Sequence, residues 1–368
     1  MKILIDAHMV GGRESGNEHY ILGLLAGLQS VMPQAEVIVA TSDPDALNGV
    51  LSICHPWRLV CVSRSPFRRL FVELPYLVSC ERVDLLHVTY SGPLHCRCPV
   101  VVSVHDVSYL RHPEWFSWRD RTVLRAGVGL TLPRACGVIA ISEHARGEIQ
   151  AHYNLPPSRI AVTPLAARQD YQPVSPSRVL DDLGALGIGQ PYFLAVGNLQ
   201  PRKNLPRLIE AFAKLKRDTN TPLRLVIAGR AKWRESEVFA AISRHHLSAD
   251  VLFPGYVTDA QLVSLYCGSV AFIYPSLYEG FGLPIIEAMA CGVPVITSST
   301  SAMPETAGVA ALIVNPYDVE AMAGAMARIM QDGALRIELG RKGIERAKQF
   351  SWERTASQTL DAYHRWLT

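Results

Sequence analysis

Residues 274–297, YPSLYEGFGLPIIEAMACGVPVIT, gather the side chains and turns best suited to chemistry. They read as an apolar strand ending at Pro275, a loop with Gly280 and Gly282 flanking Phe281, and a helix opened by Pro284. Proline suits a first helical position because the N–H it lacks has no helical partner there. Gly292 reads as a left-handed helix stop, and another strand begins at Val293. A glycine loop entering a helix start offers N–H groups and the positive dipole end to an anion. Glu279 in the loop and Glu287, read as lying in the first helical turn, could accept hydrogen bonds from sugar or ribose hydroxyls. Singly, Glu287 would merely complement the dipole and Glu279 would be a solvated loop residue. The adjoining glycines and proline favour a site.

A second segment, residues 195–212, AVGNLQPRKNLPRLIEAF, also runs strand, glycine loop, helix. Gly197 follows the strand, Arg202 and Lys203 are adjacent cations, and Asn204 reads as a side-chain N-cap with Pro206 close behind. Arg in a bidentate fork and Lys as a point charge together suit a diphosphate. The ordinary alternative is a surface loop with two solvated cations. Its position after a buried strand argues for the site, since such loops converge on the carboxyl ends of a parallel sheet. No GxxxxGK[ST] loop occurs, no GxGxxG closes the first strand, and no aspartate cluster has metal spacing. The expectation is therefore no cofactor and no metal, with Arg202 and Lys203 in the charge-neutralising role of Mg²⁺.

The elements that must hold these loops follow from the pattern of the chain. Continuous Val/Ile-rich runs, as in parallel strands covered on both faces, fall at 2–6, 36–40, 85–88, 100–105 and 137–142. They recur at 192–196, 224–228, 251–253, 270–275, 293–297 and 311–314. Helical patterns lie between them, at 19–31 and 118–135 in the first half and at 204–217, 236–245, 259–267, 283–291 and 318–331 in the second. The fold class is α/β, with two Rossmann-like doubly wound domains facing a cleft. Residues 164–191, rich in Pro and Gly, read as the loop-like boundary. The expected domains are 1–172 and 173–349, and a tail helix 350–368, apolar at Trp352, Ala356, Leu360 and Trp366, could return to the first.

Composition narrows the classes. The 368 residues are 49% hydrophobic and 19% charged, with 26 Gly and 24 Pro, which excludes disorder, collagen and coiled coil. Lys and Arg number 36 against 33 Asp and Glu, and a net +3 is too small for a dedicated nucleic-acid binder. The most apolar long run, residues 123–142, carries Arg125, Pro133 and Arg134, so no membrane span is expected. The start, MKILIDAHMV, turns acidic at Asp6 and reads as a strand rather than a signal peptide. The eight cysteines, Cys54, Cys61, Cys80, Cys96, Cys98, Cys136, Cys267 and Cys291, form no CxxC pair and read as free thiols in a reducing, cytoplasmic setting. Cys96-Arg97-Cys98 alone is a weak metal or redox signal.

Three segments resemble the retaining glycosyltransferases of the GT-B fold known as family 4, among them bacterial mannosyl- and glucosyltransferases of polysaccharide assembly. They are GNLQPRKNLPRLIEAF, GYVTDAQLVSLY (residues 255–266) and PSLYEGFGLPIIEAMACGVPVITSSTSAMPE (residues 275–305), the last with Glu279 and Glu287 in the family's paired-glutamate spacing. VVSVHDVSYLRHPEWF in the first half resembles the His-Asp segment of the same enzymes. The resemblance implies that Arg202 and Lys203 hold a donor diphosphate, that Glu287 binds the ribose, and that Glu279 binds hydroxyls of the transferred sugar. It implies backbone N–H donors at Phe281, Gly282 and Leu283, a base contact at Val257, and His105 near the reacting carbon. Gly197 belongs to the phosphate loop, and Gly16 matches the family's first glycine loop.

That first loop departs from the family pattern. It reads Gly16-Asn17-Glu18-His19-Tyr20, with His19 at the usual arginine. His105 also has an ordinary alternative as a hydrogen-bonded core histidine, Asp106 as a turn former, and Ser142 as the N-cap of the next helix. The implied reaction moves a hexose from GDP-mannose or a UDP-glucose-type donor to a glycan or lipid-linked oligosaccharide hydroxyl, with retention. The competing reading is an inactive nucleotide-sugar binding subunit. The basic, aromatic stretch 57–71 suits peripheral contact with the inner membrane face, or is a solvated basic loop.

Overall fold

The computed structural model describes residues 1–12, 15–47, 56–229, 236–255 and 257–367, and Cys54 lies outside them. The described strands form two wholly parallel sheets. The first holds β1 (Lys2–Asp6), β2 (Glu36–Thr41), β3 (Trp57–Cys61), β4 (Leu85–Thr89), β5 (Val100–Val104), β6 (Gly137–Ala140) and β7 (Ile160–Val162) in the order 3-2-1-4-5-6-7. The second holds β8 (Tyr192–Val196), β9 (Arg224–Ala228), β10 (Val251–Leu252), β11 (Ala271–Tyr274), β12 (Val295–Ser298) and β13 (Ala311–Val314) in the order 10-9-8-11-12-13. Each order is the Rossmann pattern of a sheet wound outward in both directions from its first strand. Both sheets are covered by helices, so their central strands are buried along their length. Ile3–Ile5, Val37–Ala40, Phe193–Leu194 and Phe272–Ile273 are all essentially inaccessible.

The chain divides into two compact units. One is Met1–Ala166 with Phe350–Thr368, and the other is the uninterrupted Ala167–Gln349. The helix Trp352–Leu367 packs in the first unit against the helix Ser15–Val31. Glycines make this close packing possible: a Cβ on Gly23 would lie 2.1 Å from the Trp352 ring, and one on Gly27 2.2 Å from the Trp352 carbonyl oxygen. At the other end of the helix, Gly137 at the start of β6 leaves room for the Trp366 ring.

Three expectations change at the level of elements. Residues 176–185, read as loop, form a helix, Pro176–Ala185, capped by Ser175 and carrying proline in its first turn. The basic stretch is no loop: Trp57–Cys61 is an edge strand, followed by a helix Pro66–Arg68 that widens to π geometry over Arg69–Glu73 and continues as Leu74–Glu81. The helix Gly333–Ala347, absent from the sequence reading, packs on the helix Leu283–Ala290. Ser142 does cap the helix Glu143–Tyr153, accepting from the Ala145 N–H at 2.9 Å. The Asp106 carboxylate accepts from the Ser108 N–H at 2.9 Å, forming the expected turn.

Candidate active site

In the second sheet β8 and β11 are neighbours, and from this pair the chain winds to opposite sides. Loops leaving such adjacent strands diverge, which opens a crevice at their carboxyl ends, the place where ligands bind in sheets of this kind. The loop after β8 carries Gly197, Arg202 and Lys203, and the loop after β11 carries Glu279, Phe281 and Gly282.

Gly197 has φ +139°, and a Cβ there would sit 3.0 Å from Lys203 Cε. Gly229, just after β9, approaches so closely that a Cβ on it would lie 2.1 Å from the Gly197 carbonyl oxygen. Glycine at 197 lets the Lys203 stem run against the backbone, and glycine at 229 lets the loop after β8 pass close to the end of β9. The Lys203 ammonium is buried; it donates to Glu279 Oε1 at 2.7 Å and to the Tyr274 hydroxyl at 2.5 Å. Arg202 pairs with the other Glu279 oxygen, and its Nε donates to Gln200 Oε1 at 3.0 Å. The Leu277 N–H donates to the Arg202 carbonyl at 2.8 Å, joining the two loops. Ser301 accepts from the Glu279 N–H at 3.1 Å, fixing the acid from a third segment.

Asn204 is not the side-chain cap expected of it. It adopts the left-handed conformation at φ +58°, and its amide donates to the Pro275 carbonyl at 3.1 Å and the Pro316 carbonyl at 2.7 Å. It bridges loops rather than satisfying its own helix. Glu279 is likewise not solvated but buried between two cations. Glu287 lies in the second turn of the helix Leu283–Ala290 rather than the first, buried, with its carboxylate accepting from the Tyr266 hydroxyl at 3.1 Å. Gly282 takes φ +93° at the helix start, with Pro284 next in the first turn. Phe281 is buried, and its carbonyl accepts from Thr306 Oγ1 at 2.5 Å. Val257 is half-buried and directly precedes Thr258, the N-cap of the helix Asp259–Gly268.

Electrostatics separate the two acids. Burial alone would raise Glu279, but the Arg202 and Lys203 charges outweigh it and hold the carboxyl at about 2. Burial pushes Glu287 up to about 7, opposed by the Tyr266 hydrogen bond. For Lys203, burial outweighs the attraction of Glu279 and brings the ammonium down to about 8. The unit therefore holds a fixed carboxylate locked to two cations beside a second acid poised near neutrality.

In the first unit, His105 follows β5 and is buried, and its Nδ1 lies 2.8 Å from Asn17 Oδ1. The burial of the ring pushes it down to about 3, so it is neutral at physiological pH. Gly16 lies in the exposed first turn of the helix Ser15–Val31 rather than in a loop. Tyr274, Tyr266, Ser301 and Asn17 were not singled out in the sequence. Tyr274 and Tyr266 end apolar runs and read as core, and the partners of Ser301 and Asn17 lie far away in the chain.

Comparison with known proteins accords with this geometry. The family model for glycosyl transferases group 1 matches residues 184–349, and that for glycosyltransferase family 4 matches residues 15–167. The chain is 36% identical over 265 residues to the O-antigen chain mannosyltransferase B of Escherichia coli, covering 72% of this chain and 69% of that protein. It is 28% identical over 238 residues to the serotype-specific mannosyltransferase WbdA of Escherichia coli, covering 64% of this chain but only 29% of that larger protein. The crystal structure of Anabaena HepE in complex with UDP and glucose shares the fold, with a TM-score of 0.77 at 21% identity over 99% of each chain. The two doubly wound sheets, the loops at their carboxyl ends and these matches lead to one conclusion: the chain belongs to the group 1, family 4 glycosyltransferases of the GT-B fold.

Proposed function

We propose that the protein transfers a hexose, with mannose from GDP-mannose the first choice and glucose from UDP-glucose the second, to a hydroxyl of a growing glycan or lipid-linked oligosaccharide, with retention at the anomeric carbon. The observation that carries this reading is the cluster of Arg202, Lys203 and Glu279 across the loops after β8 and β11. The names of the E. coli relatives supply the preference for mannose and for polysaccharide assembly.

Glu279 holds both cations in place before any ligand arrives, so little reorganisation accompanies charge development on a departing diphosphate. Arg202 and Lys203 meet that charge in the role a divalent ion plays elsewhere, and N–H groups of Phe281, Gly282 and Leu283 add the positive end of a helix. Glu279 also accepts from hydroxyls of the transferred sugar, Glu287 accepts from ribose hydroxyls, and Val257 lies against the base through its main chain. His105 meets the sugar, and Gly16 and Gly197 leave space for phosphate oxygens. The leaving oxygen, on the same face as the incoming hydroxyl, takes its proton.

A lipid-linked acceptor entails contact with a membrane. The helical face with exposed Phe67, Phe71, Val72 and Tyr76, flanked by Arg64 and Arg68, suits an anionic surface. Among the described residues no helix is long and apolar enough to cross a membrane. The decisive experiment incubates the protein with GDP-mannose or UDP-glucose and a lipid-linked glycan pool. Acceptor-dependent nucleotide release, with an α-linked product by NMR, is expected. Binding of nucleotide without such release would instead identify a non-catalytic subunit.

A further inference from the structure

His105 holds a polar atom that nothing in its surroundings satisfies. The ring sits just past β5, with Tyr20 edge-on at 4.5 Å and Tyr90 at 5.5 Å between centroids. Asn17 Oδ1 lies 2.8 Å from Nδ1, and a carboxamide oxygen only accepts. The proton of the contact therefore belongs to Nδ1. A neutral imidazole has one N–H, so Nε2 carries a lone pair. Nε2 is buried and has no hydrogen-bond partner. The adjacent Tyr20 hydroxyl is already engaged with Ser103 Oγ at 2.6 Å, which in turn meets His87 Nε2 at 2.7 Å. His87 Nδ1 meets the Tyr363 hydroxyl, so this network closes on the helix Trp352–Leu367 and not on His105. A buried acceptor without a donor is uncommon in a folded protein.

We propose that Asn17 is a positioning residue: it holds His105 as the Nδ1–H tautomer, so that Nε2 accepts a hydrogen bond from a hydroxyl of the sugar substrate. The substrate half of this statement rests on the glycosyl-transfer reading, and the tautomer half does not. Asn17 lies at the start of the helix Ser15–Val31, within Gly16-Asn17-Glu18-His19-Tyr20. The Asn17 contact thereby gives the site an oriented acceptor, which a sugar lacking the matching hydroxyl would leave unpaired.

The tautomer is measured directly in full-length protein labelled with ¹⁵N-histidine, from long-range ¹H–¹⁵N correlations. The chain has 12 histidines, so the His105 signals are assigned by their loss in His105→Gln. The expected result is a pyrrole-type Nδ1 and a pyridine-type Nε2 in the wild type, with the Nε2–H form that a free histidine side chain prefers growing in when Asn17→Ala is made. An Nε2–H ring in the wild type, or a ring unchanged by Asn17→Ala, overturns the proposal. The hydroxyl is identified with GDP-mannose and its monodeoxy analogues. Asn17→Ala should lower kcat/KM by roughly 3- to 10-fold with the intact donor, the scale of one neutral hydrogen bond. It should have no effect with the analogue lacking the recognised hydroxyl. An equal effect on every analogue overturns the hydroxyl assignment. Should no donor be turned over at all, the transfer reading fails, while the NMR result still decides the role of Asn17.

Discussion

Lys203 is held as a cation in a place that disfavours one. Burial brings it down to about 8, and Glu279 is what keeps it charged. Lys203→Ala is expected to lower kcat by about 100-fold or more, the loss typical of one charge-stabilising donor, while leaving the fold intact. Nucleotide-release kinetics and a thermal melt separate the two effects. Glu287 gives a different signature. Its folded value of about 7 stands above the ordinary 4.5, so the stability it allows is fully present below 4.5 and is lost as pH rises through about 7. Glu287→Gln should therefore raise the stability of the ligand-free protein at alkaline pH by about 1 to 3 kcal/mol, read by denaturant unfolding. The same variant should bind UDP and GDP more weakly and lose the gain in affinity between about pH 6 and pH 8 that calorimetry should find in the wild type, because the ionised carboxylate is the better acceptor. The sequence disclosed Arg202, Lys203, Glu279 and Glu287 through their glycine-flanked loops. It did not disclose that Glu279 clamps both cations or that Asn17 orients His105, since those contacts join residues 76, 77 and 88 positions apart.

At the scale of elements, glycines divide into those that a contact requires and those that none does. Gly27 faces the Trp352 carbonyl, with a would-be Cβ at 2.2 Å, whereas Gly147 in the helix Glu143–Tyr153 has open space around it. Gly27→Ala should destabilise the first unit by about 1 to 3 kcal/mol through overpacking. Gly147→Ala should stabilise it by roughly 0.5 to 1 kcal/mol through helix propensity. Chemical denaturation of the pair checks both signs. The buried central strands were legible because a strand covered on both faces must be apolar at every position, as in Ile3–Ile5 and Phe272–Ile273. The edge strand Trp57–Cys61 was not, because an edge tolerates the exposed Arg58 and Cys61. The helix Pro176–Ala185 hid behind Pro176 and Gly184 and the flanking Pro173, Gly187 and Gly189, although Ser175-Pro176 is a cap followed by a preorganised first turn.

At the scale of the whole molecule, each of the two units holds a hydrophobic cluster of its own, and the second unit is continuous in the chain. Calorimetry should resolve two transitions. UDP or GDP at about 100 times its Kd should raise the transition of the unit Ala167–Gln349 by the equivalent of about 2.7 kcal/mol. Deleting residues 350–367 should lower the other transition instead, since it removes the buried Trp352, Ala356 and Tyr363 from the helix Ser15–Val31 and its sheet. A deletion that leaves both transitions in place would contradict this division of the chain. The same returning helix sets an order on biogenesis. A nascent chain leaving the ribosome has every strand of its first sheet long before it has Trp352, so that lobe must wait, unclasped, while the intervening one closes on its own. A late segment thus docks onto a helix, Ser15–Val31, that was made well before it.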